Sequence, residues 1–123
     1  MSYVHAHRVE LVTDASGNAI GYTEVVTGRV CTIRYVKNDF ADGSTITVTN
    51  ETTGETIWSE SSVNASATRA PRQATHSTAG AAAVYASGGS AVLDRIVVAG
   101  ARIKVVVASG GNTKSGTFHV VLD

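Results

Sequence analysis

The stretch RIKVVVASGGNTKSGTFHVVLD, residues 102–123, confines the chain to β-structure. Its two runs of β-branched and apolar residues alternate with a period of two, the period that sends successive side chains to opposite faces of a strand. Valine and isoleucine lose rotamer freedom in a helix and pack well on a pleated surface. The glycine-rich connection between the runs accepts the backbone angles of a reversal. The pattern predicts an antiparallel hairpin that closes the fold and carries a flexible tip from Ser109 to Gly116.

The same texture extends back through the sequence. Residues 3–12 alternate loosely, TDASGN at 13–18 is turn chemistry, and residues 19–26 are expected to return beside the first run. Arg29 to Lys37 then sets Cys31, Ile33 and Tyr35 on one face and Thr32 and Arg34 on the other, so the opening reads as a three-stranded meander. After the turn NDFADG, residues 44–50 place Ile46 and Val48 opposite Thr45, Thr47 and Thr49. Residues 55–60 hold the only tryptophan, Trp58, and complete a second hairpin. Its neighbour Ile57 is expected on the opposite face, which puts one of the two at an interface. Residues 91–99 and 102–108 follow as strands joined by a tight turn at Gly100. The expected architecture is a single antiparallel β-sandwich, jelly-roll or Ig-like, of about eight strands over residues 1–123.

Residues 61–90 differ in kind. Serine, threonine, alanine and glycine dominate, acidic residues are absent, and Arg69 and Arg72 flank the only proline, Pro71. The segment is expected to be a long irregular excursion or arm. Within it, TAGAAAVYA at 78–86 suits a turn or two of helix ended by Gly88 and Gly89, with a short strand as the alternative. Unstructured loops of this length are uncommon in a compact domain unless they serve a function, so the excursion is expected to meet a partner or fold over its own sheet.

At 123 residues the chain supports one core. Ten basic side chains balance ten acidic ones, which removes any global field able to gather nucleic acid or an anionic membrane and also removes self-repulsion between copies. Association into a dimer or trimer is the expectation. Cys31 is the single cysteine, so it forms no disulfide within the chain and is expected to be a buried thiol. The first residues lack a basic start followed by an apolar run, and no stretch reaches membrane-spanning length, so synthesis in the cytoplasm as a soluble product is expected.

Motifs with chemistry are few. ASGGNTKSG ends like a phosphate-binding loop, yet Ala108 and Thr113 occupy its glycine positions and a strand follows where the helix is required. Two strand residues apart, His5 and His7 share a face and would need His76 or His119 as a third metal ligand. Asp39 and Asp42 before Gly43 read as a turn and not as a calcium loop. No serine sits in a nucleophile elbow, and the sequons at Asn50 and Asn64 lack a secretory signal. These readings point to a protein without catalysis, cofactor or metal. The polar stretch RAPRQATH is the best candidate for contact with a partner: Arg69, Pro71, Arg72 and His76, joined by Trp58 and by Lys114 at the hairpin tip. Guanidinium groups hold their charge and make bidentate bonds to carboxylates, here expected on a neighbouring subunit.

The segments TRAPRQATHSTAGAAAVYASGG and RIKVVVASGGNTKSGTFHVVLD, with TIRYVKNDFADGSTITVTNETTGETIW before them, resemble small structural proteins encoded among the head genes of tailed bacteriophages. The resemblance implies a late, non-enzymatic virion protein on the capsid surface, a decoration or cement protein whose partner is the major capsid protein or another virion subunit. A position at the head-tail joint or in the tail is the close variant. From another class, a carbohydrate-binding sandwich would require an exposed aromatic platform drawn from Trp58, Tyr3, Tyr22, Tyr35 and Tyr85.

Overall fold

The computed structural model describes residues 4–123; Tyr3, which opens the first expected strand, lies outside the described residues. Among the described residues ten strands form: β1 (His5–Val12), β2 (Ala19–Tyr22), β3 (Val26–Lys37), β4 (Ser44–Asn50), β5 (Thr56–Val63), β6 (Ala67–Arg69), β7 (Arg72–Ala74), β8 (Leu93–Ala101), β9 (Ile103–Ala108) and β10 (Ser115–Leu122). They build two antiparallel sheets packed as a sandwich. The first runs β1-β10-β3-β8-β7, with β6 also paired to β3, and the second runs β2-β9-β4-β5.

The period-two pattern explains the core. In β4, Ser44, Ile46, Val48 and Asn50 are buried while the threonines between them stay half-exposed, and Ile103, Val105 and Val107 do the same in β9. From the first sheet, Phe118 and Val120 of β10 and Tyr35 of β3 meet these rows. Tyr35 stacks on Phe118 at 5.0 Å and on Phe40 at 6.1 Å. Each valine or isoleucine in these rows contributes about 1.5–3 kcal/mol by leaving water.

The closing hairpin does not form. β9 pairs with β2 and β4, whereas β10 pairs with β1 and β3, so residues 109–114 cross from one sheet to the other. Each run buries one apolar face, and such faces are satisfied across a sandwich core as well as beside one another. Nor is the crossing a free tip. Gly110 donates to the Gly17 carbonyl and Ala41 donates to the Gly110 carbonyl, both at 2.9 Å, while Thr13 Oγ1 donates to the Gly111 carbonyl at 2.5 Å. A Cβ at Gly110 would stand 2.9 Å from Thr13 Cγ2, so the three loops close only around glycine. The opening meander is replaced in the same way, with β1 beside β10 and β2 beside β9. The tight turn expected at Gly100 does not form: Gly100, with φ of 60°, lies inside β8 where the pairing to β3 slips, and Arg102 alone separates β8 from β9 of the other sheet.

Two bulges shift the expected faces. In β3 the pairing to β10 slips between Thr32 and Val30, so Cys31 is the extra residue; Val30 replaces it in the core and the thiol is left half-exposed. In β5 the slip falls between Trp58 and Thr56, and the extra residue Ile57 turns inward with Trp58. Neither is left for an interface.

The excursion is more ordered than its composition suggests. Its first residues finish β5, and β6 and β7 follow. No helix forms at 78–86, because Ser77 Oγ takes the amides of Ala79 and Ala81 into a turn and Gly80 adopts φ of 82°. The strand alternative is the closer description, with bridges between His76 and Ala82 and between Val84 and Ala91.

Candidate functional site

Residues 72–93 form a ribbon that leaves the sandwich. β8 pairs with β3 only as far as Val30, because β6 takes over the pairing at Ile33, Arg34 and Tyr35. Displaced from β3, the start of β8 pairs with β7, setting Arg72 opposite Arg95 and Ala74 opposite Leu93. Farther out the segment around Ala83 lies between the two limbs: the Ala83 amide donates to Thr75 at 3.0 Å and the Val92 amide to Ala83 at 3.0 Å. Ser77 bonds to Ala81 at 2.8 Å and Tyr85 to Ser90 at 3.0 Å, which closes the two tips.

Backbone hydrogen bonds therefore order this ribbon without a core of its own. No residue from 64 to 95 is buried, and Val84, Tyr85 and Leu93 are 41%, 76% and 55% exposed. Between Arg72 and Asp94 the ribbon carries no lysine, arginine or acidic residue. Its surface is built from small apolar and hydroxyl side chains with backbone amides.

The six nominated residues fall into three places. Arg69 sits on the inward side of β6, and its Nε and Nη2 donate to the two Glu60 oxygens at 2.8 and 2.9 Å. Trp58 Nε1 donates to the same carboxylate at 3.2 Å. The Arg69 fork holds the Glu60 carboxyl below the ordinary glutamate range, and the trio closes the gap between β5 and β6. Arg69 thus meets a carboxylate as its chemistry demands, within its own chain. Pro71 and Arg72 stand at the root of the ribbon, where Arg72 Nη1 donates to the carbonyls of Cys31 at 3.1 Å and Pro71 at 2.8 Å. His76 lies farther along, exposed. Lys114 belongs to the three-loop cluster, its amide bonded to Thr13 Oγ1 at 2.8 Å.

The histidines do not converge. His7 Nδ1 lies 3.3 Å from Glu24, whereas His119 pairs opposite Arg8 on the other face of β1. Among the described residues no three of histidine, cysteine, aspartate and glutamate come together, and no pocket opens. Of the aromatics, Tyr35 and Trp58 are core residues, and Arg102 lies 4.1 Å over the Tyr22 ring.

Sequence reasoning missed an ion cluster on the outward face of the first sheet. The Asp123 carboxylate receives Arg95 Nη1 at 2.7 Å and Arg29 Nη2 at 3.2 Å. Arg95, followed by Arg29, holds that carboxyl below its usual range. Cys31 Sγ lies 3.5 Å from Arg95 Nη1. Arg29 and Arg95 occupy outward positions of alternating strands, but their meeting depends on the β3 bulge and on pairing across sequence-distant strands.

Comparisons with known proteins add little. No family model and no curated protein matches the chain. Among solved structures it is similar to the exo-beta-1,3-galactanase of Phanerochaete chrysosporium with galactose, at 12% identity and a TM-score of 0.32 over 95% of this chain. The match spans 27% of the galactanase chain, and a TM-score that low assigns neither fold nor activity.

Proposed function

We propose that this chain is a non-enzymatic structural subunit that acts by docking, with the ribbon 72–93 lying on a neighbouring protein. The observation that carries this reading is order without burial: thirty-two consecutive residues, 64–95, contribute none to the core, yet their backbone is hydrogen bonded throughout the ribbon. Fixing a backbone costs about 1–2 kcal/mol per residue, and apolar side chains held out in water return nothing toward it. Covering Val84, Tyr85 and Leu93 with a partner supplies the missing term. Together with the resemblance to head-gene structural proteins of tailed phages, this favours a capsid decoration or cement protein, whose repeated contacts hold a shell through many weak interfaces. A dimer or trimer on a capsid symmetry axis fits that role.

Co-sedimentation with purified heads tests the reading. The chain should saturate them in a fixed ratio to the major shell protein, and Val84→Ser, Tyr85→Ser and Leu93→Ser together should lower occupancy at least tenfold while moving Tm little, since all three are exposed. Absence from intact particles, or full occupancy by the triple variant, refutes it.

A further inference from the structure

The charges of this chain are balanced in number but segregated in space. On the outward face of the first sheet stand Arg8, Arg29, Arg34, Arg72 and Arg95, against the carboxylates Glu10 and Asp123. Pairing fixes the placement: Arg8, His119, Arg34 and Thr68 make one row across four strands, and Arg72 lies directly opposite Arg95. The inward neighbours Val9, Ile33, Tyr35, Ile96 and Val120 are buried, so the arginines face out. The outward face of the second sheet instead presents a threonine row on β4 beside Val106, with Lys104 and, over the Tyr22 ring and bonded to Glu51, Arg102 as its cations.

Like charges opposed across a strand pair repel, so such a face is stabilised by anions. Three of its five arginines have them within the chain: Arg8 pairs with Glu10, and Arg29 and Arg95 share Asp123. Arg34 and Arg72 have no carboxylate partner among the described residues. Arg34 donates through Nη1 to Thr68 Oγ1 at 3.1 Å, and Arg72 through Nη1 to two carbonyls, so none of these bonds uses the Nη2 side of either guanidinium.

We propose that this face docks an acidic segment of another protein, whose carboxylates lie beside Arg34 and Arg72. The face already displays the mode of recognition, since Asp123 is held by two of its arginines. Arg72 Nη1 reaches the Cys31 carbonyl of β3, and Arg34 lies three residues along β3 from Cys31, so the two arginines are anchored about 10 Å apart along that strand. An extended partner strand spans that distance in about three or four residues. Polyphosphate suits the face less well. Among the described residues its rows carry valine, threonine, alanine and His119 but no phenylalanine, tyrosine or tryptophan platform for successive bases, and its two resident carboxylates oppose a dense phosphate backbone.

The test uses the intact chain and a fluorescent oligoglutamate peptide, with binding followed by anisotropy at low and high salt. Binding should weaken as salt rises, Arg34→Gln with Arg72→Gln should raise Kd about tenfold, and Lys104→Gln on the opposite sheet should leave it unchanged. Arg34→Gln alone, remote from the ribbon root, should raise Kd about threefold and guards against disturbance of β7 by the double variant. No binding, or binding indifferent to both substitutions, overturns the proposal. Tighter binding of oligothymidylate with the same sensitivity also overturns it, reassigning the face to polyphosphate. Unaltered oligoglutamate binding by the Val84, Tyr85 and Leu93 variant is expected, because this face does not depend on the ribbon reading.

Discussion

Removing one oxygen atom from the core should make this protein more stable. Tyr35 is fully buried between Phe40 and Phe118, and its hydroxyl has no hydrogen-bond partner. A buried polar group left unpaired costs about 1–3 kcal/mol, whereas the dispersion attraction of a single oxygen to its surroundings amounts to less than about 1 kcal/mol. Tyr35→Phe should therefore raise the unfolding free energy by about 1 kcal/mol, or Tm by about 4 °C for a chain of this size. A second readout isolates the hydroxyl. Burial pushes its pKa from 10.0 up to about 12, so the folded state holds the proton where the unfolded state releases it. The stabilisation from that difference is complete below pH 10 and is lost as pH rises through 12, at about 1.4 kcal/mol per pH unit between the two values. The variant has no such loss, so its advantage should widen by about 1.4 kcal/mol between pH 9 and pH 11. Urea unfolding followed by the fluorescence of Trp58 measures both quantities. A variant less stable than the parent at neutral pH, or an advantage that stays constant with pH, would refute the reasoning by showing that the hydroxyl is satisfied.

Three further outcomes follow from the packing. Glu60→Ala should cost about 1–2 kcal/mol, since it strands the Trp58 indole N–H and the Arg69 fork, while Glu60→Gln should cost less than half of that because an acceptor remains; thermal unfolding of both variants checks the ranking. A Cβ at Gly116 would lie 2.5 Å from Phe40 Cε2, so Gly116→Ala should destabilise by about 1–3 kcal/mol, and Phe40→Leu should recover part of that loss in a double-mutant cycle. Arginine partners of Glu60, Glu51 and Asp123 depress those carboxyls, so their contribution is present above the ordinary carboxylate values and is lost as pH falls through the lowered ones. Stability should decline from about pH 4.5 downward, and added salt should flatten that decline.

How much of this fold could be read from the chain depends on what alternation encodes. A period of two assigns each residue to a face, which is why Ile46 and Val48, and Ile33 and Tyr35, were legible as sharing one packed face. It does not name the neighbouring strand. β9 and β10 carry the same pattern whether they lie side by side or on opposite walls of a sandwich, and the loops that decide between these, around Gly17, Ala41 and Gly110, meet only in three dimensions. Bulges are hidden for a related reason: one extra residue reverses the phase of everything beyond it, and the slips at Cys31 and Ile57 are defined by the partner strands, β10 remote in sequence and β4 across a hairpin, not by the strand's own pattern. Of the nominated site, Arg69 and Trp58 were visible as unusual residues, but nothing in the sequence pattern marks Glu60 as the residue that joins them.

The ribbon and the arginine face have a common origin in the pairing of β3. Had β8 continued beside β3 past Val30, it would have covered Ile33 and Tyr35, and residues 72–93 would have folded back as an ordinary edge. By taking that place, β6 brings Arg69 inward to Glu60 and sets Thr68 beside Arg34 on the outer face. The same exchange releases the start of β8 to pair with β7, which brings Arg72 opposite Arg95. A like-charged pair at the root of an exposed ribbon is unfavourable in isolation, and a fold selected for stability alone has no use for it. Anions supplied by a partner reverse that balance, so the three-residue strand β6 governs both surfaces through which this protein is proposed to act.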